Sequence, residues 1–151
     1  MLYLLLYPLH NEFSFLNVFR YLSFRLIYAA ITAFLIVFML APKMIRTLQA
    51  IRMGQQIREE GPKGHMSKSG TPTMGGLLIL FAVIVATLLW ADLSNRYVWL
   101  ALLATVGFGA VGFADDYMKF VKRHNKGLTA SQKFIAQGLV ALVIGIFFYS
   151  L

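Results

Sequence analysis

Four long apolar stretches, 22–42, 74–91, 97–114 and 134–151, constrain this chain more than any other feature. As helices, each is long enough, or nearly so, to cross about 30 Å of hydrocarbon. The second and third are short and would stand nearly upright. The expected fold is therefore all-α: a polytopic integral membrane helical bundle with four transmembrane helices. Residues 1–21 mix aromatic and polar side chains (Tyr3, Tyr7, His10, Asn11, Glu12, Tyr21) and read as an interfacial N-terminal segment. The transmembrane domain is then 22–151, with loops 43–73 and 115–133. Pro42 is expected to end the first span, and Lys43–Arg58 to form a separate short basic helix. Trp90 and Trp99 flank the turn 92–96 and are expected to anchor the interface there. Met1–His10 lacks a basic leader and a small-residue cleavage site, so it does not read as a cleaved signal peptide. There is no cysteine, which excludes disulfides.

The formal net charge is +8, which invites a nucleic-acid partner. Its distribution argues against one. Lys43, Arg46, Arg52, Arg58, Lys63 and Lys68 lie between the first two stretches. Lys119, Lys122, Arg123, Lys126 and Lys133 lie between the last two. Basic residues collect on the cytoplasmic side of membrane proteins. Both loops are thus expected in the cytoplasm, and the 92–96 turn outside. Both chain ends are expected outside as well, although Arg20 and Arg25 pull the other way for the N-terminus. The partner that composition implies is the lipid bilayer, not nucleic acid.

Asp115 and Asp116 stand where the third apolar stretch ends. Carboxylates at a lipid surface that is itself negative are costly. Asp115 and Lys119 are four apart and share a helix face, so a salt-bridged helix end is one reading. The other is Mg²⁺, which prefers one or two carboxylates together with substrate phosphates. A carboxylate could also serve as base toward a phosphate nucleophile. Gly70-Thr-Pro-Thr-Met-Gly-Gly76 has P-loop glycine spacing without the Lys and Ser/Thr that should follow. It reads either as a re-entry turn or as a glycine-rich helix start whose N–H groups suit a phosphate. Lys68 and Thr73 would add a cation and a hydroxyl. Gly107-Phe-Gly-Ala-Val-Gly112 lies inside an apolar stretch and reads as close helix packing, not as a dinucleotide site. The three histidines have no ligand spacing. Lys122, Arg123, Lys126 and Lys133 read first as topology residues, with a secondary capacity to hold a lipid phosphate or diphosphate. Gln137 shares a face with Lys133 and is expected to point into the bundle.

Ser67-Lys-Ser-Gly-Thr-Pro-Thr-Met-Gly-Gly76, Gly112-Phe-Ala-Asp-Asp-Tyr-Met-Lys119 and Lys126-Gly-Leu128 together resemble the phospho-N-acetylmuramoyl-pentapeptide transferase family. This family is the bacterial branch of the polyprenyl-phosphate N-acetylhexosamine 1-phosphate transferases. The resemblance extends from Phe15-Leu-Asn-Val-Phe19 to the fourth stretch. It implies an enzyme of the bacterial inner membrane with its active face in the cytoplasm. Undecaprenyl phosphate attacks the sugar-linked phosphorus of UDP-N-acetylmuramoyl-pentapeptide, UMP leaves, and the first lipid intermediate of peptidoglycan forms. Mg²⁺ is the implied cofactor, and a homodimer is allowed. Asp115 and Asp116 match the family's aspartate pair: one is base or lipid-phosphate partner, the other, assigned here to Asp116, supports the metal. Lys119 falls on the motif lysine. Lys68, Thr73, Gly75, Gly76, Lys126 and Lys133 are the implied substrate-binding residues.

Family members have about ten spans, and their later loops carry a further Mg²⁺-binding aspartate and a histidine-rich motif. The chain is accordingly expected to be an N-terminal fragment, inactive alone. Two rivals make different predictions. A relative using UDP-N-acetylglucosamine would differ in sugar choice. A non-catalytic bundle would show no dependence on Mg²⁺ or nucleotide.

Overall fold

The computed structural model describes residues 1–50, 74–122 and 127–150, except for the side chains of Phe120 and Lys122. A short helix α1 (Leu2–Leu6) and two 3₁₀ turns, Tyr7–Asn11 and Ser14–Arg20, precede four longer helices. These are α2 (Leu22–Ala50), α3 (Gly76–Trp90), α4 (Arg96–Lys122) and α5 (Ala130–Tyr149). They run alternately up and down. Trp90, at the end of α3, donates to Thr32 Oγ1 near the start of α2 at 2.9 Å. Tyr97, at the start of α4, lies 6.3 Å from Phe148 at the end of α5, measured between ring centroids.

Among the described residues, very little is buried. The buried apolar residues are Leu16, Leu48, Met74, Leu78, Ala82, Ala86 and Leu102. Large apolar side chains such as Phe34, Phe38, Phe134 and Phe147 are exposed along the helices. A water-soluble bundle does the reverse, so this outward apolar surface is what a membrane protein presents to lipid. Small residues make the internal contacts. Ala82 and Ala86 lie one turn apart on α3 and are almost fully enclosed. A Cβ on Gly107 would stand 2.8 Å from Val140 of α5, and one on Gly109 would stand 2.6 Å from Leu80 of α3. The glycine motif of α4 therefore packs helices on two sides, as its apolar setting implies.

Several element boundaries differ from the expected ones. Pro42 does not end the first helix; α2 continues through it to Ala50. Proline removes one backbone hydrogen bond, but Leu40 and Met44 on either side of it face Leu77, Leu78 and Phe81 of α3, and Leu48 beyond it is buried, so packing offsets the loss. The first eight residues of the expected 43–73 loop are therefore helical; its remainder, residues 51–73, lies outside the described residues. At 29 residues, α2 is about 43 Å long and exceeds the hydrocarbon thickness. By contrast α3, with 15 residues, is about 22 Å long. Among the described residues, three helices are long and apolar enough to cross a membrane, and α3 is a shorter apolar companion. The expected 115–133 loop is also helical at both ends, through Lys122 and again from Ala130.

Trp90 is not a free interface anchor. Its ring stacks on Phe19 and Tyr28 and meets Phe24 edge-on, holding the N-terminal segment to α2 and α3. Trp99 does stay exposed, with its indole N–H donating to Leu93 O at 2.8 Å. Gln137 is exposed on α5 and does not point into the bundle. In the turn between α3 and α4, Asp92 accepts the N–H of Ser94 and Asn95 accepts that of Tyr97.

Candidate functional site

The start of α3, the last turns of α4 and the start of α5 share one end of the bundle, and the aspartate pair lies there. Helical spacing alone sets the first contacts. Lys119 Nζ is 2.8 Å from Asp115 Oδ2 and 3.1 Å from Asp116 Oδ1. The salt-bridged helix end is thus present, and tertiary structure adds to it. Lys133, in the first turn of α5, places Nζ 3.1 Å from Asp115 Oδ2. The backbone N–H of Leu128 donates to Asp115 Oδ1 at 2.9 Å. Asp115 therefore accepts from two ammonium groups and one amide, and only 6% of it is exposed.

A capping box positions Lys133. Thr129 Oγ1 accepts from Gln132 N at 3.3 Å, and Gln132 Oε1 accepts from Thr129 N at 3.1 Å. This reciprocal pair starts α5 at Ala130 and fixes the direction of its first turn. A lysine so near a helix N-terminus opposes the helix dipole, and the Asp115 carboxylate offsets that cost. Gly127 allows the approach of this segment to α4. A Cβ there would collide with Asp115 Oδ1 and stand 2.8 Å from the backbone oxygen of Asp115.

The two carboxylates differ in what they can still do. Asp115 is 6% exposed and its carboxylate already accepts from three donors, so little of it is open to a further ligand. Asp116 keeps a third of its side chain exposed, and Lys119 is its partner among the described residues. The side chains of Lys119 and Lys133 are 36% and 43% exposed. Each ammonium has three protons, so both retain donors for an incoming anion. No group of three His, Asp or Glu side chains able to enclose a metal occurs among the described residues. Among the described residues of the site, Asp116 is the carboxylate open enough to serve as a single Mg²⁺ ligand, and phosphate and water would have to complete such a shell.

The other candidate residues divide. Gly75 and Gly76 lead into α3 with open space around them. Met74, just before them, is the residue in the left-handed region, with φ 71 and a buried side chain. Such a conformation is uncommon for a non-glycine residue. Its C=O accepts from Leu77 N at 3.1 Å, closing the first turn. An apolar groove lined by Leu40, Met44, Leu77, Leu78 and Phe81, with Lys43 beside them, lies between α2 and α3 at this end. Lys68, Thr73 and Lys126 lie outside the described residues. The sequence marks Gly127 and Leu128 only as part of a family motif, with no role for either, and the Thr129–Gln132 box was missed. The Thr-x-x-Gln spacing was a usable signal; the other two depend on a tertiary contact.

The sequence signature described as phospho-N-acetylmuramoyl-pentapeptide-transferase signature 1 matches residues 68–80. A phospho-N-acetylmuramoyl-pentapeptide-transferase of Desulfosudis oleivorans is 60% identical over 141 residues, covering 93% of this chain and 39% of the relative. One of Syntrophus aciditrophicus is 53% identical over 150 residues, covering 99% and 42%. The chain belongs to this family. A Koribacter versatilis member is 55% identical over 150 residues, covering 97% of the chain and 39% of the relative. The chain thus spans about two fifths of the length of the curated relatives it matches. With its apolar helices, membership in this family makes it a multi-pass membrane protein of bacteria.

Proposed function

We propose that this segment supplies part of the phosphate-handling face of a phosphosugar transferase. The reaction moves phospho-N-acetylmuramoyl-pentapeptide from its UDP derivative to undecaprenyl phosphate. A lipid phosphate oxygen forms a bond to the sugar-linked phosphorus, the bond to the departing phosphate breaks, and UMP leaves with that electron pair. The observation that carries the proposal is the Asp115–Asp116–Lys119–Lys133 cluster, held at one end of an apolar bundle. A lipid phosphate sits at the headgroup plane, where a cluster at a bundle end can meet it. The concentration of basic residues in the flanking loops supports a cytoplasmic location for this end, in the bacterial inner membrane.

Phosphoryl transfer depends on positioning and charge neutralisation. Lys119 and Lys133 present spare N–H donors to the diphosphate. Asp115 holds both ammonium groups in place. Asp116, the more open carboxylate, faces the substrate or cofactor. Mg²⁺, when bound, would be held by Asp116 and the diphosphate, and would neutralise charge on the departing phosphate. Gly75 and Gly76 would meet the nucleotide diphosphate at the start of α3, and the resemblance adds Lys68, Thr73 and Lys126 to the substrate-binding residues.

The test supplies the whole protein with undecaprenyl phosphate, Mg²⁺ and one nucleotide sugar at a time. UMP release is expected with UDP-N-acetylmuramoyl-pentapeptide, but not with UDP-N-acetylglucosamine. Chelation should abolish it and added Mg²⁺ should restore it. Release from UDP-N-acetylglucosamine alone would reassign the substrate. No release from either, in a folded preparation, would end the transferase proposal.

A further inference from the structure

We propose that Gly127 is a positioning residue: the lack of a side chain there lets the 127–128 backbone close on Asp115, and this closure fixes where Lys119 and Lys133 present their ammonium groups. Three neighbours define the requirement. A Cβ at Gly127 would run into Asp115 Oδ1, stand 2.8 Å from Asp115 O, and stand 2.9 Å from Lys119 Cε. The second of these is main chain of α4 and cannot swing aside. The backbone of Gly127 lies outside the left-handed region, so what it needs is room and not conformational freedom. By comparison, a Cβ on Gly112, Gly138 or Gly145 would meet no atom within 4 Å.

The consequence propagates through named contacts. Relieving the collision requires the 127–128 segment to move away from α4. That withdraws the Leu128 N–H from Asp115 Oδ1, a contact of 2.9 Å. It also moves the start of α5, because Thr129 caps that helix one residue later. Lys133 rides on the first turn of α5, and its 3.1 Å contact with Asp115 loosens. Lys119 then has one well-placed partner fewer to hold Asp115 in register. Gly127 touches no reacting atom in this scheme; it acts through Asp115.

The effect on turnover rests on the transferase proposal, whereas the effect on the cluster does not, so both are measured on the whole protein. Gly127→Ala should lower UMP release at least tenfold, more in kcat than in KM. Combined with Lys133→Ala, it should be no worse than the more damaging single change, because both act through one network. Amine-directed labelling of Lys133, read by mass spectrometry, should rise at least twofold as the ion pair opens. Gly145→Ala should change neither readout. Wild-type turnover and labelling in Gly127→Ala would overturn the proposal, as would losses that simply add to those of Lys133→Ala. If Gly127→Ala does not accumulate, Asp115→Ala removes the acceptor without adding bulk; unchanged Lys133 labelling there overturns the proposal too. If the unmodified protein releases no UMP, the transferase proposal fails and the labelling still decides the role of Gly127.

Discussion

Asp115 and Asp116 are adjacent in sequence yet have unlike surroundings. Asp115 is enclosed and takes three donors from α4, α5 and the segment between them. Asp116 shares one lysine and keeps a third of its side chain in the open. Replacing each with asparagine should separate a holding role from a facing role. Asp115→Asn leaves two lysines facing a neutral amide and should cost about 1–3 kcal/mol of stability along with activity. Asp116→Asn should leave the melting temperature near wild type while turnover falls. Thermal unfolding of both variants in the whole protein checks this; equal melting shifts would contradict it. The pairing of Asp115 with Lys119 was legible from their spacing of four. The share taken by Lys133 and the Leu128 N–H was not, because separations of 18 and 13 residues close only when α4 and α5 pack. Spacing marked Asp115 as the lysine partner, but not that it is enclosed while Asp116 stays open.

At the scale of helices, boundaries were less legible than existence. Apolar length located all four long helices, but Pro42 pointed to an end that α2 does not take. A proline costs one intrahelical hydrogen bond but does not by itself force a stop, and packing of Leu40, Met44 and Leu48 carries α2 eight residues past it. The start of α5 is legible in Thr129-Ala-Ser-Gln132, a capping-box spacing that lies ahead of the apolar run beginning at Phe134. Thr129→Ala should cost about 1 kcal/mol through the lost cap and raise labelling of Lys133. Wild-type stability with unchanged labelling would mean that the box does not set the first turn. Close packing at Gly109 gives a second prediction. Its Cβ would already be 2.6 Å from Leu80, so Gly109→Leu should destabilise by about 1–3 kcal/mol through forced separation of α3 and α4. Gly112→Leu, with open space around it, should cost less. A ranking in the opposite order would show that α4 packs through a different face.

For the whole molecule, the few buried residues and the long exposed apolar faces require a partner medium, and lipid supplies it. The alternating helices put the 92–95 turn at one end and the aspartate cluster at the other. The chain has no cysteine, so single cysteines can report topology. A membrane-impermeant maleimide applied to intact cells should label Ser94→Cys and spare Ser131→Cys. The reverse pattern would place the cluster on the outer face, away from cytoplasmic nucleotide sugars. The most direct measurement, however, concerns the chemistry. UMP release from UDP-N-acetylmuramoyl-pentapeptide should be measured for the whole protein and its Asp116→Asn variant, with undecaprenyl phosphate and a Mg²⁺ titration, at matched folded protein. A fall of at least a hundredfold, with a higher Mg²⁺ requirement for what remains, is the predicted result. Wild-type turnover with an unchanged Mg²⁺ response would contradict the assignment of this cluster to phosphate transfer.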